Sequence, residues 1–131
     1  MSRIKLTCMI DDDEIFVYAM RKLIKMKALS EELIVFDSVE KGLSYLCENQ
    51  SKPDAIPDVI LLDINLPVSD GWDFIHEFQQ VQAKLAKQPR IYMLSSSSDS
   101  VDQQRAESYP SIQNYFTKPL SQASFDHIFK A

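Results

Sequence analysis

The side chains best suited to chemistry in this chain lie far apart in the sequence. Asp11 and Asp12 follow the apolar run Ile4 to Ile10, and Asp63 follows Val59 to Leu62. Ser95 follows Ile91 to Leu94, and Lys118, just ahead of Pro119, follows Tyr115 and Phe116. Each stands where an apolar run stops. A fold that gathers them puts three carboxylates, a hydroxyl and an ammonium on one rim. Two carboxylates about 5 Å apart at an effective dielectric of about 20 repel by roughly 3 kcal/mol, enough to raise a pKa by about two. Such a cluster calls for a cation. Hard oxygen ligands on an open, hydrated rim favour Mg²⁺, which takes one or two carboxylates and keeps waters for a phosphate-bearing substrate. Lys118 adds a second positive charge suited to a phosphoryl oxygen. A carboxylate between the two is fit to accept a phosphoryl group, because both cations neutralise charge that builds up in the transition state.

The elements that must position these groups are legible as an alternation of apolar runs and helical patterns. Ile4 to Ile10 reads as a buried strand ended by acids. Phe16, Met20, Leu23 and Ile24 follow at helical spacing, with acids first and Lys22, Lys25 and Lys27 last, the order a helix dipole favours. Leu33 to Phe36 is a second strand, and Ser38 can cap a helix whose apolar face is Val39, Leu43 and Leu46. Asn49 to Pro57, polar and with two prolines, is a loop. Val59 to Leu62 is the most apolar strand, and a helix from about Gly71 carries Phe74, Phe78, Val81 and Leu85 on one face. Ile91 to Leu94 is a fourth strand, followed by a polar helix around Ser100 to Ser108. Tyr115 and Phe116 mark a short fifth strand, before a last helix holding Phe125, Ile128 and Phe129. Strands alternating with helices give an α/β fold, a parallel sheet covered on both faces with right-handed crossovers. In such sheets ligands gather outside the carboxyl ends of the strands, where the strand order reverses.

Composition narrows the classes. The chain has 131 residues, one domain's worth, and 45% hydrophobic with 25% charged residues excludes disordered and fibrous classes. A net charge of −5 argues against nucleic acid or anionic lipid as partner. No apolar run approaches the roughly 20 residues of a membrane span, and Met1-Ser2-Arg3 does not begin a signal peptide. Cys8 and Cys47 lack metal-like spacing and read as reduced, buried thiols, so a cytoplasmic location is expected.

Taken in order, Met9-Ile10-Asp11-Asp12-Asp13, Asp58 to Pro67, Asp70-Gly71-Trp72, Leu94-Ser95-Ser96 and Tyr115-Phe116-Thr117-Lys118-Pro119 resemble the receiver domain of two-component response regulators. The resemblance covers nearly the whole chain, 1–131, with no output domain expected after Ala131. It implies a flavodoxin-like, doubly wound (βα)5 fold with strand order 2-1-3-4-5. It implies that Asp63 is the phosphorylated aspartate, that Asp12 ligates Mg²⁺ with Asp11 acting mainly through water, and that the Asn65 carbonyl completes the protein's share of the metal shell. By the same resemblance Lys118 holds a phosphoryl oxygen and precedes a cis proline. Ser95 hydrogen-bonds the phosphoryl group, Tyr115 swings inward as the second switch residue, and the side chains of Asn65 and Ser97 tune the phosphoryl lifetime. The implied partners are a sensor histidine kinase and either a histidine phosphotransfer protein or a target protein; the chain is then a signalling protein and not an enzyme. Two departures stand out: Ser95 replaces the commoner threonine, and Ser108-Tyr109-Pro110-Ser111 replaces a frequent Gly-Ala turn, which bears on the shape of the polar helix.

Each residue also has a plainer reading. An acid run such as Asp11 to Glu14 is an ordinary helix N-terminus; Asp13 and Glu14 fit that role, Asp11 and Asp12 the rim. Asp63 could end a strand in a turn, and Ser97 or Ser98 could cap a helix. Lys118 could be solvated and Tyr115 simply packed. Trp72 and Phe74 read as packing, and His76 and His127 as surface or boundary residues. Two other functions remain: a receiver-like binding module that works without phosphorylation, and a small Mg²⁺-dependent phosphatase of the haloacid-dehalogenase type using Asp11-Asp12-Asp13. The latter needs a further acidic pair after the lysine, and only Asp126 follows it.

Overall fold

The computed structural model describes residues 4–96 and 100–129. The cap reading of Ser97 or Ser98 and the tuning role of Ser97 lie outside the described residues. In chain order the elements are β1 (Ile4–Ile10), α1 (Glu14–Met26), β2 (Ser30–Phe36), α2 (Val39–Glu48), β3 (Val59–Asp63), α3 (Gly71–Val81), β4 (Arg90–Ser95), α4 (Ser100–Glu107), β5 (Ile112–Thr117) and α5 (Gln122–Ile128). The five strands form one parallel sheet in the order β2-β1-β3-β4-β5. Among the described residues no helix is long and apolar enough to cross a membrane.

The period-two alternation of strand side chains divides the core between the two faces. Ile60 and Leu62 of β3, with Ile91 and Met93 of β4, pack against Leu46 of α2 and Phe74, Ile75 and Phe78 of α3. Val59, Leu61, Tyr92 and Leu94 face the other way, against Met20 and Ile24 of α1 and Phe125 and Ile128 of α5. A central parallel strand is covered on both sides, so Val59 to Leu62 is continuously apolar. The chain turns polar only where the strand leaves the core, at Asp63.

Local sequence sets where the helices begin. Asp13 caps α1, Ser38 caps α2 and Ser121 caps α5, each through a side-chain oxygen. Asp70 and Asp73 form a reciprocal capping box at α3. Several boundaries differ from the sequence reading. β2 starts at Ser30 and β5 at Ile112, because edge strands pair through backbone groups while their side chains stay polar. α3 stops at Val81, so Leu85 is not on its face; a 3₁₀ turn over Gln82–Lys84 delivers Leu85 to the core, and Ala86 N–H donates to the Gln50 carbonyl at 2.8 Å. Phe129 likewise lies just beyond α5, as its C-cap. Cys8 is buried, and burial pushes its thiol far up, but Cys47 is exposed, since it lies off the apolar stripe of α2.

α4 has little apolar surface: among its described residues only Ala106 is buried. Its C-terminal end is held instead by aromatic contacts. The Arg105 guanidinium stacks 4.3 Å over the Trp72 ring of α3, and Tyr109 packs against Trp72 with centroids 6.0 Å apart. The unusual Ser108-Tyr109-Pro110-Ser111 segment therefore closes the helix by docking its tyrosine on α3.

Candidate functional site

Because every strand is parallel, the carboxyl ends of β1, β3, β4 and β5 share one edge of the sheet. Asp11 leaves β1 with its N–H donating to the Phe36 carbonyl at the end of β2 (2.9 Å). Its Oδ1 accepts from Asp13 N–H at 2.9 Å, while the Asp13 side chain accepts from Ile15 and Phe16 N–H at 3.1 Å each. One acidic run therefore serves two purposes: Asp13 starts α1, and Asp11 is turned inward, 2% exposed. Asp12 stays exposed at the mouth.

Asp63 ends β3 and is 4% exposed. Its Oδ1 accepts from Asn65 N–H at 3.2 Å. The turn that follows is tight: Ile64 N–H donates to the Leu94 carbonyl at 3.0 Å, and Gly71 N–H to the Ile64 carbonyl at 2.9 Å. Glycine is required there, because a Cβ at position 71 would lie 2.9 Å from the Asp63 carbonyl oxygen and 3.0 Å from Ile64 Cα. Across the sheet, Lys118 N–H donates to the Ser95 carbonyl at 2.7 Å, which joins the exit of β5 to the end of β4, and the Lys118–Pro119 bond is cis.

These anchors bring the charges together. Lys118 Nζ lies 2.8 Å from Asp11 Oδ2 and 3.5 Å from Asp63 Oδ2, with the lysine side chain only 11% exposed. It is not a solvated surface lysine. One carboxylate oxygen each from Asp11, Asp12 and Asp63 lies within 4.8 Å of the others, a set that could hold a metal ion. The Asp63 carboxyl is pushed up to about 6, first by burial and then by the Asp11 charge, against the opposing pull of Lys118 and the Asn65 N–H. Asp11 Oδ2 is buried and, among the described residues, accepts no hydrogen bond, since the 2.8 Å approach of Lys118 is not aligned for one. A buried carboxylate oxygen in that condition, beside two more carboxylates, suits a divalent cation with oxygen preference.

The remaining expected residues border this rim. Ser95, 1% exposed, ends β4 opposite Thr117 of β5. Tyr115 pairs with Met93 in register, is half-buried against the core, and lines a groove with Gln103, Ala106 and Glu107 of α4. His76 is exposed, and His127 sits edge-on to Tyr92 and Phe116. Sequence reasoning missed one residue at this edge, Phe16, and one at the opposite, amino edge of the sheet, Asp58. Phe16, read there only as a core position, has its ring 4.4 Å from Lys118 Nζ. Asp58 accepts from Lys5 and Leu6 N–H at 3.1 Å each and from Lys87 Nζ at 2.8 Å, fixing the start of β1 next to β3. An acid directly before an apolar strand was the available signal for Asp58.

The chain matches the response regulator receiver domain family over residues 7–130 and belongs to it. Among solved structures, a two-component response regulator from Cytophaga hutchinsonii is 29% identical, with a TM-score of 0.88 over 98% of this chain and 96% of that one. A response regulator receiver protein from Dyadobacter fermentans is 27% identical, with a TM-score of 0.73 over 91% and 90%. The Mn²⁺-bound form of response regulator Rcp1, 22% identical with a TM-score of 0.74 over 95% and 88%, shares the fold. A search of curated protein sequences finds no match.

Proposed function

We propose that this receiver domain accepts a phosphoryl group on Asp63 in a Mg²⁺-dependent reaction and signals through the change that follows. The observation that carries the reading is the Lys118 ammonium placed 2.8 Å from Asp11 and 3.5 Å from Asp63, beside the three grouped carboxylates. The donor is the phosphohistidine of a sensor histidine kinase. An Asp63 carboxylate oxygen attacks phosphorus, the P–N bond breaks, and the imidazole leaves with the bonding electron pair and takes a proton from solvent. Asp63 is left as a mixed anhydride. Asp11, Asp12, Asp63 and the Asn65 carbonyl would hold Mg²⁺, which when bound neutralises phosphoryl oxygens. Lys118 binds one of those oxygens, and the Ser95 hydroxyl donates to another.

The new dianion adds charge and acceptor oxygens at the rim. It shifts the domain only through contacts that differ between two states. Ser95, at the end of β4, and Tyr115, in the groove beside α4, are the residues assigned to that difference. The chemistry is confined to the protein's own aspartate, so the chain is a signalling protein without turnover of a separate substrate. Its partners are the kinase and then a histidine phosphotransfer protein or a target, all cytoplasmic.

The test is incubation with acetyl phosphate and Mg²⁺ followed by intact-mass measurement. A gain of about 80 Da, one phosphoryl group, is expected. It is absent in Asp63→Ala and when EDTA removes the metal. No adduct on the unaltered protein, or an adduct that survives Asp63→Ala, rules the reading out.

A further inference from the structure

We propose that Phe16 is the positioning residue for Lys118, its ring holding the ammonium against Asp11 and Asp63. The inference deepens the phosphoryl-transfer reading and rests on it for its functional consequence, though not for the contact itself. Lysine ends in a compact charge on a flexible four-carbon stem. The bond from Lys118 N–H to the Ser95 carbonyl fixes where that stem begins and not where it ends. At the tip, Asp11 at 2.8 Å and Asp63 at 3.5 Å attract the charge from the carboxylate side, and the Phe16 ring adds a further contact. Lys118 Nζ lies 4.4 Å from the Phe16 ring centroid, well within cation–π range. Other lysine–aromatic pairs are looser, with Lys22 at 5.9 Å from Tyr18 and Lys27 at 5.7 Å from Phe125.

The ring is itself tied to the rim. Phe16 N–H donates to the Asp13 side chain, and Asp13 N–H donates to Asp11 Oδ1. Movement of the first turn of α1 would therefore move both the carboxylate and the aromatic face that contact Lys118. The chemistry of the ring matters as much as its place. A phenyl face attracts the ammonium through its quadrupole but offers no lone pair, so it leaves the lysine's remaining N–H donors to carboxylate and phosphoryl oxygens. An aliphatic side chain of similar bulk would fill the space without that attraction.

The experiment compares Phe16→Leu, which keeps bulk and loses the π face, with Phe16→Tyr, which keeps the ring. In the metal-free protein, the Lys118 ε-CH₂ proton resonances are expected upfield of their ordinary position in wild type and F16Y, and back near it in F16L. With acetyl phosphate and saturating Mg²⁺, the phosphorylation rate of F16L is expected to fall about fivefold, the size of one such contact, with F16Y within about twofold of wild type. In a Lys118→Ala background F16L is expected to change the rate by less than about twofold, because the contact is already gone. Equal losses in both backgrounds, or Lys118 resonances that F16L leaves unmoved, would overturn the proposal. Phe16→Met, another ringless side chain, is measured in the same way if F16L unfolds. If the unaltered protein takes up no phosphoryl group, the phosphoryl-transfer reading fails on that result, while the Lys118 resonances still decide the contact.

Discussion

Replacing Asp63 by asparagine is expected to stabilise the metal-free protein. An Asp11 oxygen within 4.8 Å repels the Asp63 charge by at least about 3.5 kcal/mol at an effective dielectric of about 20. Lys118 at 3.5 Å returns about 5 kcal/mol on the same scale. The Asp11 and Lys118 charges oppose each other, burial is the largest influence, and the Asp63 carboxyl is raised to about 6. Between about pH 4 and that value the folded protein holds a proton that the unfolded chain has released. Stability therefore falls as pH rises through this window, and the cost of the charge is complete by about pH 7. Full conversion at 1.36 kcal/mol per pH unit gives roughly 3 kcal/mol; screening at an open rim reduces it, leaving about 1–3 kcal/mol. Asp63→Asn keeps the shape, keeps an acceptor for Asn65 N–H and leaves Lys118 with Asp11. Thermal unfolding in EDTA at pH 7.5 should show D63N melting higher by roughly 3–4 °C per kcal/mol. The difference should shrink toward pH 5, where the wild-type carboxyl is largely protonated. Millimolar Mg²⁺ should favour the wild type instead, since a cation bound to the native state adds stability by mass action. A D63N protein no more stable than wild type at pH 7.5 without metal, or a difference independent of pH, would refute the account.

Asp58 has the opposite sign. Burial alone would raise its carboxyl, but the bonds from Lys87 and from Leu6 and Lys5 N–H, with the Lys87 charge, lower it. Its contribution is present above about pH 4 and lost as pH falls below that. Asp58→Ala should cost about 1.5–3 kcal/mol in urea unfolding at pH 7, with the gap to wild type closing in acid. Arg105→Ala removes the stack on Trp72, the only tryptophan in the chain, so a shifted fluorescence maximum and a loss of about 0.5–1 kcal/mol are expected. Gly71→Ala forces a Cβ against the backbone of Asp63 and Ile64 and should destabilise by about 1–3 kcal/mol. A neutral G71A in the same urea assay would mean that this turn yields easily.

Much of this protein was written in its one-dimensional pattern. The continuous apolar run Val59 to Leu62 marks a strand covered on both faces, and the spacing of Phe74 and Phe78 marks a helix packed on it. The polar residue that ends each run, from Asp11 to Lys118, stands at a carboxyl edge because side-chain periodicity and the exits of parallel strands are local or topological properties. What local periodicity cannot carry is distance between segments joined only through the sheet. The burial of Asp11 beside an exposed Asp12, the approach of Lys118 closer to Asp11 than to Asp63, and the Phe16 ring at its tip depend on strand register and on the first turn of α1. So do the early end of α3 at Val81 and the exposure of Cys47, each decided by what packs alongside rather than by the residue's own preference. Sequence chose the groups; tertiary packing set the charges' separations and their access to water, and those two quantities govern what a carboxylate can do.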